Sequence, residues 1–366
     1  MLNDVKEALK KSIILCNELM MYPKVSIIWL NYNSINFLNL VLTSLRSIFN
    51  LDYEKYEVII VDNASNDGSF ERIKKFVEER RPGNIKVKFV RSDRNRGYSG
   101  GMNLGWEARE PESKYVVFLN NDLIVEQDSL KRLMEYIESD YKVGAANGLI
   151  YFGDEKTIYS AAGGVVTELW NAGGVCWGLP EGKCYGKDKP HYVSYADGAY
   201  MIVNVNAIEG VSPIGKPFLD RAFLYFDDYV LGLLLWNRGW KVKYYPVRAG
   251  LHFAHRTTRP ALNYYGVRAH VALMNIVKTR FQPLLTFYLL RRLSIHSLMC
   301  VKGEYNSCNI VRAIYDGLRL GFYAKQKIGN LILYKAPYVK SALKEIECLI
   351  LGICEELKIT YKDVVG

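Results

Sequence analysis

Short, largely apolar runs recur along the first two thirds of the chain, and each is followed by polar residues. Runs of this length are typical of strands buried on both faces of a parallel sheet. The runs are residues 25–30, 56–61, 86–90, 115–119, 143–152 and 241–245. Between them apolar residues recur at helical spacing, for example at Phe70, Ile73 and Val77. The alternation predicts an α/β fold with a mostly parallel, Rossmann-like sheet flanked by helices.

Two regions outside this alternation have a different pattern. Apolar residues share one helical face before Pro23, at Leu2, Val5, Leu9, Ile13, Cys16 and Met20. Three helical segments, 283–290, 310–323 and 339–357, follow residue 281, with Arg and Lys interspersed in this region. We therefore expect an N-terminal amphipathic helix in residues 1–22, an α/β domain in residues 23–280 and a basic helical region in residues 281–366.

Polar residues follow three of the predicted strands at the point where each strand ends. They are Asn31 and Tyr32, Asp62 and Asn63, and the run Asn120-Asn121-Asp122. The carboxyl ends of parallel strands meet at one edge of the sheet, where open α/β folds bind ligands. Asp62 could accept hydrogen bonds from a base or ribose, Tyr32 could stack on a base, and Asp122 could hold Mg²⁺ or Mn²⁺ against a diphosphate. The pattern predicts a nucleoside-diphosphate site, with a plain turn as the alternative for residues 120–122.

A glycine-rich stretch, residues 94–105, leads from the third strand into a helix. Glycines let backbone amides approach a ligand, and a helix N-terminus attracts phosphate. The stretch has no Gly-Lys-Ser/Thr, so it is not a Walker loop. It follows the third strand rather than the first, so it is not a dinucleotide-binding fingerprint either.

Four segments in this order resemble the family 2 glycosyltransferases with the GT-A fold, and most closely their rhamnosyltransferase-like branch. The matching segments are residues 25–33, 61–69, 95–105 and 118–122. The resemblance covers residues 23–280 and implies hexosyl or rhamnosyl transfer from a UDP- or dTDP-sugar to a glycan, lipid-linked or protein-linked acceptor. In that family an Asp-x-Asp motif binds the metal. Asn120 replaces its first residue, so Asp122 alone supplies the carboxylate.

The resemblance also implies a set of donor-binding residues. They are Asn31, Tyr32, Asn33, Asp62, Asn95, Gly97, Gly101, Asn103, Asn120, Asn121, Gly198 and Arg268. Gly198 belongs to a Gly-Ala segment that lies under the donor sugar in the family, and Arg268 would contact phosphate. His252 would meet the metal or the diphosphate, with His255 as its competitor.

Asp227 and Asp228 open a predicted helix after Tyr225 and Phe226. Aspartates favour helix N-termini, so capping is one interpretation. The other is general base catalysis, in which one carboxylate takes the proton of the acceptor hydroxyl. The resemblance places that base at Asp228, with Asp227 as the alternative.

The net charge of +10 is concentrated in the C-terminal part. From residue 229 onward there are 21 Lys or Arg and 7 Asp or Glu. This basic region suits either an anionic membrane surface or an ordinary solvated helical subdomain. No nucleic acid partner is expected, because the basic residues form no known binding motif and Asp227 and Asp228 would repel phosphate.

Seven scattered cysteines, an odd number, suit reduced thiols. The sequence has no signal peptide and no evident membrane-spanning stretch. We therefore expect a cytoplasmic protein, with a peripheral position at the inner face of the membrane as an open alternative. The oligomeric state is not readable from the sequence.

Two other functions compete with glycosyl transfer. A nucleotidyltransferase has a similar sheet, but its Gly-rich, Lys-bearing loop would stand where Asn31-Tyr32-Asn33 stands here. A non-catalytic nucleotide-sugar binder would fit if Asn120 has abolished metal use.

Overall fold

The computed structural model describes residues 22–154, 157–160, 163–254, 262–341 and 359–366. The predicted N-terminal helix, His255 and most of the segment 339–357 lie outside these residues. The strands are β1 (Val25–Asn31), β2 (Tyr56–Asp62), β3 (Lys86–Arg91), β4 (Tyr115–Asn120), β5 (Leu123–Val125), β6 (Val143–Phe152), β7 (Ile158–Ser160), β8 (Gly164–Thr167), β9 (Ala172–Gly174), β10 (His191–Tyr192), β11 (Tyr200–Asn204), β12 (Lys241–His252), β13 (Val277–Lys278), β14 (Leu331–Ile332), β15 (Tyr338–Val339) and β16 (Val364–Val365). The α-helices are α1 (Leu38–Phe49), α2 (Ser69–Arg80), α3 (Gly97–Ala108), α4 (Ser129–Glu138), α5 (Val205–Val211), α6 (Asp227–Asn237), α7 (Leu262–Ile276), α8 (Leu284–Val301) and α9 (Tyr305–Ile328).

The main sheet has the strand order β10-β12-β6-β11-β4-β1-β2-β3. Strand β1 is parallel to β2 and β4, and β2 is parallel to β3. Strand β11 lies between β4 and β6 and runs antiparallel to both. The carboxyl ends of β1, β2 and β4 therefore meet the amino end of β11 at one edge of the sheet.

Apolar layers cover both faces of this sheet. Successive residues of β1 point to opposite faces, so Ile27 belongs to one cluster and Ile28 to the other, and both are fully buried. Helices α1 and α2 pack on the first face, and α3 packs on the second. The prediction of a mostly parallel sheet flanked by helices is confirmed, although the sequence did not indicate that β11 runs antiparallel.

The C-terminal region packs directly on the α/β domain. A Cβ atom at Gly317 of α9 would lie 2.7 Å from the carbonyl oxygen of Arg268 in α7, so the two helices approach closely. Strand β13 pairs with β14, and β15 pairs with both β8 and β16. Strand pairing therefore crosses the predicted boundary at residue 280.

Three expectations from the sequence are wrong. The segment predicted as a helix at 283–290 extends to Val301, and by length and composition it could cross a membrane. Val339 lies in a strand, not in a helix. Cys176 is joined to Cys184 and Cys300 to Cys308, because folding brings each pair together; these four are not the free thiols that the odd count suggested.

Candidate active site

Asn31 and Asp62 end two adjacent strands and bind each other. The amide of Asn31 donates a hydrogen bond of 3.0 Å to Oδ1 of Asp62. Oδ2 of Asp62 accepts from the backbone amide of Ser65 at 3.0 Å and lies 3.3 Å from Nε of Arg91. Both Asn31 and Asp62 are fully buried. In this conformation they fix the loops around the site, and their direct contact with a nucleoside stays a prediction.

The loop after β1 is held by hydrogen bonds to the loop after β2. Asn33 adopts a positive φ of 43°. Its backbone amide donates to Oγ of Ser65 at 3.0 Å, and its side-chain Oδ1 accepts from the backbone amide of Asn66 at 2.9 Å. Tyr32, in the same loop, is partly exposed. This partial exposure is compatible with stacking on a base.

Asn63 organises the start of the glycine-rich helix α3. Its Nδ2 donates to Oδ1 of Asn95 at 3.0 Å and to the carbonyl of Gly97 at 2.9 Å. Gly97 has a φ of 67°, and a Cβ there would lie 2.1 Å from the carbonyl oxygen of Phe223. A glycine is therefore required, and the loop touches the turn that precedes Asp227.

Gly101 and Asn103 are turned toward the protein interior. A Cβ at Gly101 would lie 2.5 Å from Cδ1 of Leu30, so the glycine allows α3 to approach β1. Asn103 is buried, and its Nδ2 donates to the carbonyl of Phe218 at 2.8 Å and to Oδ1 of Asp220 at 2.7 Å. Both residues position α3 and show no contact that points to a ligand.

Asp122 and His252 form the candidate metal site. Nε2 of His252 lies 2.9 Å from Oδ1 of Asp122 and 3.3 Å from Nδ2 of Asn120. Asn121 is directed elsewhere, since its Nδ2 donates to Oδ1 of Asn31 at 3.3 Å. Within the part of the chain that the structure describes, no three His, Cys, Asp or Glu side chains cluster as a metal site.

This donor set fits a divalent cation that is shared with a diphosphate. Neighbouring ligands of an octahedral Mg²⁺ with bonds of about 2.1 Å lie about 3.0 Å apart. The 2.9 Å between Oδ1 of Asp122 and Nε2 of His252 matches that separation. Mg²⁺ commonly takes one or two protein ligands and completes its shell with phosphate oxygens and water.

Asp227 and Asp228 differ in their surroundings. Oδ2 of Asp227 accepts a hydrogen bond of 3.0 Å from Oγ of Ser99, and Asp227 is 6% exposed. Asp228 is partly exposed, and it accepts hydrogen bonds from the backbone amides of Tyr229 and Gly198. The N-cap position belongs to Phe226, so neither carboxylate caps α6 there. Asp228 is thus the more solvent-exposed of the two carboxylates.

Burial raises the pKa of both carboxylates. Burial raises the pKa of Asp227 to about 6, while the hydrogen bond from Ser99 acts in the opposite direction. Burial also raises the pKa of Asp228 well above its usual range, and the charges of Asp227 and Asp197 add to the effect. Apolar side chains next to Asp227, among them Phe218 and Leu231, explain why its carboxylate is poorly solvated.

The turn before Asp227 is strained, and Arg268 of α7 holds it in place. Phe223, Tyr225 and Phe226 have positive φ values of 65°, 57° and 84°, which non-glycine residues adopt only when their surroundings enforce them. Arg268 is buried, and its guanidinium donates to the carbonyls of Ala222 and Leu224. In the described state Arg268 therefore supports the turn, and its predicted contact with phosphate stays a prediction.

A turn at residues 197–199 lies between the Asp122–His252 pair and Asp228. The hydroxyl of Tyr98 donates to the carbonyl of Gly198 at 2.7 Å, and Oδ1 of Asp197 accepts from the amide of Ala199 at 2.9 Å. Burial raises the pKa of Asp197, and the neighbouring His252 opposes that shift. Asp197 thus lies between the metal candidates and Asp228.

The structure brings most of the predicted site residues to this edge of the sheet. Those that are partly exposed there are Tyr32, Asn33, Asn95, Asn120, Asn121, Gly198 and Asp228. Ser99, Tyr98 and Asp197 belong to the site region but were not among the predicted residues. Tyr98 and Asp197 are adjacent in sequence to the predicted glycines Gly97 and Gly198, and Ser99 lies two residues after Gly97, which was the available signal.

Residues 26–197 match the family described as Glycosyl transferase family 2. This segment, slightly less than half of the chain, carries the pattern of that family. The expectation from the sequence is thereby confirmed at the level of the family, while the rhamnosyltransferase-like branch stays a prediction.

Curated relatives resemble part of the chain. A poly-beta-1,6-N-acetyl-D-glucosamine synthase of Staphylococcus aureus (strain COL) is 34% identical over 105 residues, which cover 29% of this chain and 24% of the synthase. An uncharacterized glycosyltransferase of Nostoc sp. is 31% identical over 140 residues, which cover 38% of this chain and 41% of that protein. The matches therefore span less than half of either relative.

Solved structures share the fold. A mannosyltransferase from Pyrobaculum calidifontis, in complex with GDP-Man and Mn²⁺, superposes with a TM-score of 0.51 at 15% identity, over 84% of this chain and 89% of the mannosyltransferase. GalNAc-T7 with UDP, GalNAc and Mn²⁺ gives a TM-score of 0.54 at 12% identity, over 84% of this chain and 58% of GalNAc-T7. The likeness confirms the GT-A fold.

Proposed function

We propose that this family 2 glycosyltransferase transfers a hexosyl or rhamnosyl group, with inversion, from a nucleotide-diphosphate sugar to a hydroxyl of a glycan, lipid-linked or protein-linked acceptor. One arrangement supports this function most. The partly exposed carboxylate of Asp228 and the Asp122–His252 pair lie at the same sheet edge, joined by the turn at residues 197–199.

Each group has a distinct part in the reaction. Asp228 accepts the proton of the acceptor hydroxyl as the new C1–O bond forms and the bond from C1 to the diphosphate oxygen breaks. Asp122 and His252 would hold Mg²⁺ or Mn²⁺, which when bound offsets the charge of the leaving diphosphate. The loops of Tyr32, Asn33 and Asn95 border the space for the nucleoside and hold it in line with the acceptor.

Two features support a nucleotide-sugar donor over the competing functions. The solved structures that share the fold were obtained with GDP-Man or UDP, each with Mn²⁺. The loop after β1 carries Asn31-Tyr32-Asn33 and no lysine, which disfavours a nucleotidyltransferase. A polysaccharide-assembling role fits the relative named as a poly-beta-1,6-N-acetyl-D-glucosamine synthase.

A thermal-shift panel of UDP-, dTDP- and GDP-sugars, with and without Mn²⁺, tests the donor. A true donor stabilises the folded state by mass action, so one nucleotide series should raise the melting temperature, and more so with Mn²⁺. The anomeric configuration of the product is then read by NMR. A product of retained configuration, or a protein that no nucleotide sugar stabilises, contradicts the proposal.

A further inference from the structure

Helix α8 exposes an apolar stripe along one side. Phe287, Leu290, Leu298 and Val301 are between 55% and 86% exposed. At 3.6 residues per turn these four positions lie within about 80° of one another around the helix axis. The structure buries none of the 18 residues of this helix. Apolar side chains concentrated on one face in this way mark an interaction surface, unlike single exposed residues.

The opposite side of α8 rests on the protein along its N-terminal half, and Ile295 and Met299 further along are 43% and 39% exposed. Leu285, Tyr288 and Leu289 pack against the main apolar cluster, and the ring of Tyr288 lies 6.1 Å from that of His270 in α7. The guanidinium of Arg292 donates to the hydroxyl of Tyr288 on this inner side. A helix that covers protein with one face can contact lipid with the other face only. Its length therefore does not make it a membrane-spanning segment.

The charge around the stripe is of one sign. Between Thr279 and Gly303 there are four basic residues, Arg280, Arg291, Arg292 and Lys302, and no Asp or Glu. The described stretch 279–341 as a whole has ten Lys or Arg and two acidic residues, Glu304 and Asp316. Arg280 is paired with Glu168 and Arg292 faces the protein, so Arg291 and Lys302 are the basic residues that border the stripe. An apolar stripe bordered by positive charge complements a lipid bilayer, which has an apolar interior and an anionic surface.

The neighbouring helix α9 adds to this character. Tyr315 and Phe322 are exposed, and the guanidinium of Arg319 lies 5.7 Å from the ring centre of Tyr315. These residues are spaced by four and three positions, so they share one side of α9. Exposed aromatic and basic side chains are typical of helices at the boundary between headgroups and acyl chains.

We propose that the stripe formed by Phe287, Leu290, Leu298 and Val301 inserts into the surface of an anionic lipid bilayer, with α8 lying in the plane of the interface. Arg291 and Lys302, next to this stripe, contact lipid phosphates. This inference rests on the surface of α8 and α9, so it stands or falls independently of the proposed reaction.

Co-sedimentation of the whole protein with vesicles tests it. Vesicles of phosphatidylcholine with phosphatidylglycerol should retain the protein, phosphatidylcholine alone should retain less, and high salt should weaken retention. The double variant Leu290→Glu/Leu298→Glu should bind about tenfold more weakly or worse, because both leucines lose their apolar burial. Tyr141→Glu/Tyr185→Glu is the matched control, since it adds the same charge at two other exposed residues and should bind as the wild type does.

Melting curves by circular dichroism establish that both double variants are folded. Three outcomes would overturn the proposal. The first is equal vesicle binding by Leu290→Glu/Leu298→Glu and the wild type. The second is a vesicle-free wild-type dimer that this variant converts to monomer, which would make the stripe an interface between copies. The third is retention on vesicles through an alkaline carbonate wash, which would indicate a spanning helix.

Discussion

The hydroxyl of Ser99 donates a hydrogen bond of 3.0 Å to Oδ2 of Asp227, across 128 residues of sequence. The contact joins the first turn of the glycine-rich helix α3 to the carboxylate pair at the start of α6. The contact therefore couples the position of the glycine-rich segment to the position of the two carboxylates. A change at the glycine-rich segment is expected to affect the chemistry at Asp228 as well as donor binding.

Replacing Asp228 by asparagine should lower kcat by about 10²-fold or more, the usual scale for losing a positioned base. Donor affinity should stay nearly unchanged, because the base acts on the acceptor. The measurement is steady-state kinetics combined with titration of the donor. Asp227→Asn is the comparison: if it shows the larger loss of kcat and Asp228→Asn is nearly silent, Asp227 is the base.

The Asp227→Asn variant should be more stable than the wild type at neutral pH. Burial raises the folded-state pKa of Asp227 to about 6, above about 3.9 in an unfolded chain. Folding therefore favours the protonated form, and stability falls as pH rises from about 4 through 6. Asparagine cannot ionise, so it should gain on the order of 1–3 kcal/mol at pH 8.

Denaturant unfolding at pH 4 and pH 8 measures this gain. The advantage of Asp227→Asn should be present at pH 8 and nearly absent at pH 4. Asp52→Asn, at an exposed surface carboxylate paired with Lys131, serves as control and should show no comparable gain. A variant that is less stable than the wild type at pH 8 would mean that the charge of Asp227 is needed by the fold.

Ser99→Ala should move the pH dependence of kcat upward. The hydroxyl stabilises the ionised form of Asp227 and so lowers its pKa. Without this hydrogen bond Asp227 and Asp228 ionise at higher pH. The rise of kcat with pH should therefore also occur at higher pH. Superimposable profiles for the wild type and Ser99→Ala would show that this hydrogen bond does not tune the carboxylate pair.

Asn120→Asp should strengthen Mn²⁺ binding. The amide nitrogen of Asn120 lies 3.3 Å from Nε2 of His252, so a carboxylate there would join the candidate ligands. Isothermal titration should show Mn²⁺ affinity raised about tenfold by the added charge, and Asp122→Ala should abolish metal-dependent donor binding. Donor affinity that is insensitive to Asp122→Ala and to chelator would make residues 120–122 a plain turn.

Arg268→Lys separates support of the turn from contact with phosphate. Both bonds come from Nη2 of Arg268, and the shorter lysine side chain, without a planar guanidinium, cannot place its nitrogen in the same position; the strained turn should therefore relax and kcat should fall. Donor affinity should change little if Arg268 acts through the turn. A large loss of donor affinity with unchanged kcat would instead assign Arg268 to the phosphates.

The sequence predicted the strands well, because burial on both faces leaves continuous apolar runs such as residues 25–30 and 115–119. Through the family resemblance it also indicated Asp122, His252 and Asp228, and their roles stay predictions. Partners distant in sequence were not predictable in this way. The contacts of Ser99 with Asp227 and of Arg268 with Ala222 depend on how the elements pack. A periodic apolar pattern predicts which face of an element is buried, but not which residue that face contacts. The disulfide between Cys176 and Cys184, only eight residues apart, was missed because the odd number of cysteines favoured reduced thiols.

The antiparallel course of β11 has a consequence for how this fold can diversify. Most of the predicted donor-binding residues come from the loops after β1, β2, β3 and β4, whereas Gly198 comes from the segment that enters β11. The stretch between β6 and β11 pairs with β6 through β7 and with β12 through β10, on the side of β11 away from β1, β2 and β4. Homologues could exchange much of that stretch as a module while the register of β1, β2 and β4 is kept, and under the proposed function altered acceptor preference would then evolve without rebuilding the predicted nucleotide side.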